Sequence, residues 1–399
     1  MNTSLQTQAV LLLTVWFTKP EKGAPKPLTP TEWGRFAAWL KDQGKSPEAL
    51  LTSADPSDCL NGWLDRAVTP DRIHHLLGRS AALGLALEKW QRAGLWVMTR
   101  SDPDYPSRLK KRLKLEAPPV LFGCGNRRLL EQGGIAVVGS RAAGEQDLAY
   151  TTRLGAEIAS QGFSVVSGGA HGVDETAMLS ALEREGTVVG VLPDSLLRVA
   201  MSAKYRKGLM SDNLALVSPF SPEAGFNVGN AMARNKYIYC LADAGIVVTT
   251  SKETGGTWNG AIDNLKHAWV PLWVKEHANP DSGNAALVNR GGRWLPSGDL
   301  PVRSLVSSQP KPTPVSPPSP PERPKELDRL SFYEIFIRRL ETLTSNGPVK
   351  VEDLLRQLDV GKAQINDWIK RAEAEGRVSK LQKPVRYVLG RADQQRLDL

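Results

Sequence analysis

Cysteine is scarce: Cys59, Cys124 and Cys240 stand far apart in 399 residues, with no C-x-x-C pair and no cysteine–histidine cluster. This excludes a disulfide framework and a zinc site of familiar spacing, and it suits a reducing compartment, the cytoplasm. Long apolar runs are missing as well. Ala9 to Phe17 is far too short to span a bilayer. With no basic segment before it and no small-residue cleavage site after it, it reads as the first helix of a helical region, so no membrane association is expected. The chain also lacks a G-x-G-x-x-G turn followed by an acidic residue, and it lacks a P-loop. No Ser/His/Asp or Cys/His constellation can be argued from spacing. The expectation is a binding protein rather than an enzyme, with no catalytic group, no metal and no cofactor.

What is present is an excess of positive charge. Lys and Arg number 51 against 42 Asp and Glu, a formal net charge of +9. Such a balance favours polyanionic partners, nucleic acid above all. Hydrophobic residues make up 41%, enough for a substantial core, and the length predicts two or three domains.

The first 94 residues read as a helical, SAM-like unit. Trp33, Phe36, Ala37 and Leu40 recur at helical spacing after a start signal at Thr31, which follows Pro30. Further helices are predicted over Pro70 to Leu77 and Ala82 to Ala93, and the aromatic stripe is read as core. Residues 95–300 alternate short apolar runs with helical stretches. The strands are predicted at Ile135–Gly139, Ser164–Ser167, Thr187–Leu192, Leu214–Val217, Gly245–Thr249 and Val270–Val274. Helices over Gln146–Gln161 and Glu175–Glu185 lie between. Continuous apolar strands alternating with helices predict an α/β fold, a Rossmann-like and mostly parallel sheet covered on both faces. Ligands of such sheets sit at the carboxyl ends of the strands.

From Pro301 to residue 328 prolines crowd together with Ser, Lys and Gln, an extended linker. Residues 329–399 read as three helices and a hairpin, the order of a winged helix. The helix from Lys362 to Glu375 would offer Lys362, Gln364, Asn366, Lys370 and Arg371 to a DNA groove. Asp367, Glu373 and Glu375 on the same helix fit a protein partner equally well.

Three turns at predicted strand ends carry the chemistry. Gly139-Ser140-Arg141 ends a strand, so Ser140 and the amides after it face an anion and Arg141 clamps it. Ser167-Gly168-Gly169-Ala170-His171-Gly172-Val173-Asp174 brings three glycines between a strand and a helix, where amides approach a phosphate closely. In this stretch His171 is a possible phosphate contact and Asp174 is placed to cap the following helix. The third turn, Asn227 to Lys236, sets Arg234, Asn235 and Lys236 ahead of a helix. Gly255-Gly256-Thr257 follows the next strand. Lys204, Arg206, Lys207, Lys252 and Lys266 add charge between the turns. Many cations without a catalytic group suit tracking of a nucleic-acid backbone. This reading requires Arg141 and Arg234 to reach one pocket, neither of them buried against a carboxylate.

Gly139-Ser140-Arg141, Ser167-Gly168-Gly169-Ala170-His171-Gly172-Val173-Asp174 and Arg234-Asn235-Lys236 resemble, in order and separation, the GSR, SGxAxGID and RNR motifs of the DprA/Smf family. Asp102-Pro103-Asp104-Tyr105-Pro106-Ser107-Arg108-Leu109 resembles its lead-in segment. The departures are Met178 where the family usually has histidine, Lys236 for arginine, and no Phe-Pro before the RNR motif. The resemblance implies binding of single-stranded DNA without sequence preference and a homodimer through the Rossmann-like domain. It also implies RecA recombinase as a partner in natural transformation. By carry-over, Arg141, Gly168, Gly169 and Arg234 would touch phosphate. Divergent relatives in phage-defence and toxin–antitoxin modules imply a cognate toxin as an alternative partner. A third reading, a nucleotide-hydrolysing enzyme, rests on the glycines at 255–256 but finds no glutamate downstream.

Overall fold

A computed structural model describes residues 3–17, 23–53, 55–279, 282–298, 300–308, 332–344, 348–351, 353–354, 362–381 and 385–389. The chain divides into two compact units, residues 1–313 and 314–399.

In the first unit nine strands form one sheet: β1 (Trp96–Thr99), β2 (Val120–Gly125), β3 (Ile135–Val138), β4 (Val165–Ser167), β5 (Val188–Val191), β6 (Leu214–Ser218), β7 (Ala244–Val247), β8 (Leu272–Val274) and β9 (Arg293–Trp294). Their order is β1-β2-β6-β5-β4-β3-β7-β8-β9. From β6 to β9 every neighbouring pair is parallel. β2 runs antiparallel to both β6 and β1. The predicted mostly parallel α/β sheet is therefore present, with an antiparallel edge that the sequence reading did not contain. Successive strands step outward from β3 through β4, β5 and β6, and the chain then returns to the other side of β3 to lay down β7 and β8. The gap between the ends of β3 and β7 is the place where such sheets bind ligands.

Because side chains alternate across a strand, the sheet supplies two cores. In β3, Ile135 and Val137 enter one and Ala136 and Val138 the other. Helices Glu145–Ser160 and Val173–Glu183 cover the first face; Ser107–Leu113, Val228–Leu241 and Gly255–His267 cover the second. The N-terminal helices belong to the first face rather than to a domain of their own. Leu11, Phe36, Leu40, Ile73 and Trp90 share one core with Val120 and Phe122. The Trp90 and Phe122 rings meet edge-on at 4.9 Å. Helix Pro30–Asp42 begins one residue earlier than the sequence suggests. Thr29 is its N-cap, with Glu32 completing a capping box.

The expected linker is shortened at its start, since Val302–Ser307 is a helix with Val302 and Leu305 buried. The remainder of the Pro-rich stretch lies outside the described residues. In the second unit, helices Phe332–Thr344 and Lys362–Ala374 pack with the hairpin β10 (Val378–Leu381) and β11 (Arg386–Leu389). Most of the helix expected from residue 351 to 358 lies outside the described residues. Arg371 is already engaged, paired with Glu375 at 2.8 Å and set over the Tyr333 ring. No described helix is long and apolar enough to cross a membrane.

Candidate nucleic-acid interface

A cavity of about 380 Å³ opens at the carboxyl ends of β3 and β7. Of the residues singled out from sequence, Gly139, Ser140, Arg141, Arg234, Asn235, Gly255, Gly256 and Thr257 line it. Ser167, Gly168, Gly169, His171 and Lys236 do not.

The turn after β3 is tied down from within. The Ser140 amide donates to the Thr249 carbonyl at 2.9 Å, and the Ala142 amide donates to the Ser140 hydroxyl at 3.1 Å. These amides are committed to protein acceptors, not open to an anion as the sequence suggested. Glycine is required at 139 because a Cβ there would meet Val173 at 2.5 Å. Arg141 itself is exposed, and no ion pair engages it among the described residues. Its guanidinium sits 5.7 Å from the centroid of the Phe226 ring.

Asp174 is not a helix cap. The helix begins at Val173 with Gly172 as its N-cap, and no side chain closes it. The Asp174 carboxylate is buried and accepts the amides of Gly139 and Gly168. Burial pushes its carboxyl up to about 6, against the opposing pull of Arg234 and of these two amides. The glycine-rich turn after β4 thus serves its own carboxylate. Ser167 is spent in the same way, its hydroxyl donating to the Val137 carbonyl at 2.6 Å. His171 is exposed and outside the cavity.

The stretch Asn227 to Lys236 is no loop. Asn227 caps helix Val228–Leu241, accepting the Asn230 amide at 3.1 Å, so residues 234–236 lie within that helix. Positions 234 and 236 are about 200° apart around a helix, which sends their side chains to opposite sides. Arg234 turns inward and is 3% exposed. Its guanidinium donates to the Val191 carbonyl at 2.6 Å and to the Gly168 carbonyl, with Asp174 the opposite charge that acts on it most strongly. Its Nη1 ties β5 to the turn after β4 and its Nε donates to the Asn235 Oδ1 at 3.1 Å, so Arg234 reaches the cavity but is buried beside Asp174, and the condition set from the sequence holds for Arg141 and not for Arg234. A Cβ at Gly168 would overlap this guanidinium. Lys236 turns away to pair with Glu116 at 3.2 Å. Asn235 links the two halves of the site, its amide donating to the Gly256 carbonyl at 2.9 Å.

The opposite wall is the start of helix Gly255–His267. Its N-cap, Thr254, makes no side-chain cap, so the first-turn amides at 255–257 stand at the cavity with the positive end of the helix dipole. The Thr257 hydroxyl ties this wall to β3 by donating to the Gly139 carbonyl at 2.9 Å. Sequence reasoning missed the apolar rim: Phe226, Val228 and Met232 line the cavity, and Phe226 is 63% exposed. Large exposed apolar side chains grouped at a cavity mouth mark a contact surface. Among the described residues no cluster of His, Cys, Asp or Glu is arranged to hold a metal.

The fold and the site define a doubly wound α/β protein with a cationic, aromatic-rimmed cavity at its switch point. Comparison with known proteins gives the family. Residues 96–299 match the family model described as DNA recombination-mediator protein A, and the chain belongs to that family. It is 28% identical over 293 residues to the DNA processing protein DprA of Bacillus subtilis, covering 66% of this chain and 94% of that one. To the protein Smf of Synechocystis it is 27% identical over 245 residues, 56% of this chain and 60% of the other. Among solved structures, DprA from Streptococcus pneumoniae superposes with a TM-score of 0.55 at 20% identity, over 74% of this chain and 95% of that one, a likeness of fold.

Proposed function

We propose that this protein binds single-stranded DNA at the cavity between β3 and β7 and acts in DNA processing as a recombination mediator. Membership of its family supports the general role. The observation that carries the binding reading is Arg141 poised over the exposed ring of Phe226 beside the open amides of helix Gly255–His267. A cation and helix amides attract phosphate, and an exposed ring accepts the face of any base. A strand with unstacked bases meets both demands, whereas a paired duplex offers no free base face.

Fluorescence anisotropy with labelled single- and double-stranded oligonucleotides tests this. The single strand binds more tightly, and affinity falls steeply with salt. Arg141→Ala flattens the salt dependence by about one counterion and Phe226→Ala weakens binding roughly tenfold, in line with ~1–3 kcal/mol for a stacked base. Affinity for the single strand untouched by either substitution overturns the reading.

A further inference from the structure

Just past β8, Lys275 and His277 converge on Asp147, a group of titratable side chains outside the cavity. Asp147 lies in the first turn of helix Glu145–Ser160 and is 8% exposed. One of its carboxylate oxygens accepts Lys275 Nζ at 2.8 Å and the other accepts His277 Nε2 at 3.2 Å. Burial works against this charge, but the hydrogen bonds from Lys275 and His277 prevail and hold the carboxyl below its ordinary range, so Asp147 is ionised. The Lys275 ammonium lies 5.0 Å from the centroid of the Tyr150 ring. Glu145 and Lys252 line the same open groove, of about 720 Å³, and Glu276, between Lys275 and His277, is exposed.

The second nitrogen of His277 decides what this group can do. The Asn279 amide donates to His277 Nδ1 at 3.1 Å. Nδ1 therefore carries no proton, and the ring is neutral with its one hydrogen on Nε2, aimed at Asp147. Only this form satisfies both contacts. A proton added to Nδ1 sets one N–H against another, and the Asn279 amide must leave. The same proton strengthens the bond to Asp147, which becomes one between opposite charges. A free imidazole takes up that proton at about pH 6.5, within the physiological range.

The His277 turn borders the wall of the cavity. Ser140, Thr250 and Ser251 line both the groove and the cavity. Thr250 is held by the chain that follows His277: its amide donates to Asn284 Oδ1 at 3.1 Å, and its carbonyl accepts the Gly283 amide at 2.7 Å. Ser251 bridges to Ser282. Asn284 is wholly buried, and its side-chain amide donates to the Val248 carbonyl at 2.9 Å and to the Lys275 carbonyl at 2.8 Å. One side chain thus ties the ends of β7 and β8 together beside the turn that His277 closes.

We propose that His277 is an acid-operated latch: unprotonated, it closes the turn onto Asn279 and steadies the Thr250–Ser251 wall; protonated, it keeps Asp147 alone and loosens both. Amide hydrogen exchange followed by NMR on the full-length protein tests this without DNA, so its outcome is separate from the single-strand reading. Protection factors, which remove the chemical pH dependence of exchange, are compared at about pH 7.5 and about pH 5.5. In the wild type the Asn279 and Thr250 amides lose protection about tenfold on acidification, the loss of one hydrogen bond. His277→Asn keeps an oxygen for the Asn279 amide and cannot titrate, and its protection is the same at both pH values. His277→Gln offers its amide to Asp147 and leaves the Asn279 amide without its acceptor, and its protection is low at both. General loosening of the fold does not mimic the wild-type result, because Asp174, raised to about 6 by burial, makes the folded state more stable as pH falls. Wild-type protection independent of pH, or an equal loss in His277→Asn, overturns the latch. Loss at Asn279 with Thr250 unmoved overturns its link to the wall.

Discussion

Asp174 sets the acid–base character of the site. An aspartate titrates near 3.8 when free and at about 6 here, because burial outweighs the neighbouring arginine and amides. The folded state therefore holds this proton more tightly than the unfolded chain. The stabilisation is complete below about pH 4 and is lost as pH rises through 6, on the order of 3 kcal/mol at ~1.4 kcal/mol per unit. Urea denaturation from pH 4 to 7 should show the wild type losing stability relative to Asp174→Asn across this window. Gly139→Ala places a methyl group 2.5 Å from Val173 and is expected to lower stability by about 1–3 kcal/mol, read as a shift in the urea midpoint. The sequence named Gly139, Arg141 and Asp174 but could not assign their partners. Arg234 and Lys236 look alike as letters, and only a helical turn shows that one is buried and the other paired outside. Phe226 carried a signal that was passed over, an aromatic residue between Gly225 and the capping Asn227.

The strands at the centre of the sheet were legible because both of their faces are buried, and β3, β5 and β7 therefore read as continuous apolar runs. β2 was harder to see, since Gly123 and Gly125 interrupt it, and β9 has only two residues. Helix Val228–Leu241 was read as a loop at its start because Gly229, Asn230 and Asn235 break its apolar period. The N-terminal helices were legible singly, but their docking was not, since it depends on Phe122, distant in sequence, meeting Trp90. That contact makes helix Ser80–Arg92 part of the sheet's own cooperative unit. Trp90→Ala is expected to cost about 3–5 kcal/mol and to shift one common transition, whether followed by far-ultraviolet dichroism or by a probe on the sheet. A separate early transition of the helices alone would contradict it.

Every residue lining the cavity belongs to the unit of residues 1–313, whose core is distinct from that of residues 314–399. A chain ending at residue 313 is therefore expected to bind the single-stranded oligonucleotide within about twofold of full-length affinity, a difference of ~0.4 kcal/mol. A loss beyond tenfold would place part of the interface in the C-terminal unit. The three thiols bear on how such measurements can be made. Cys59, Cys124 and Cys240 are all unpaired and buried, and burial pushes Cys124 and Cys240 up to about 12, far from the reactive thiolate. Maleimide dyes should leave the native protein unlabelled under folding conditions. A single cysteine installed at Met210, which is 81% exposed, becomes a unique attachment point for following strand capture one molecule at a time.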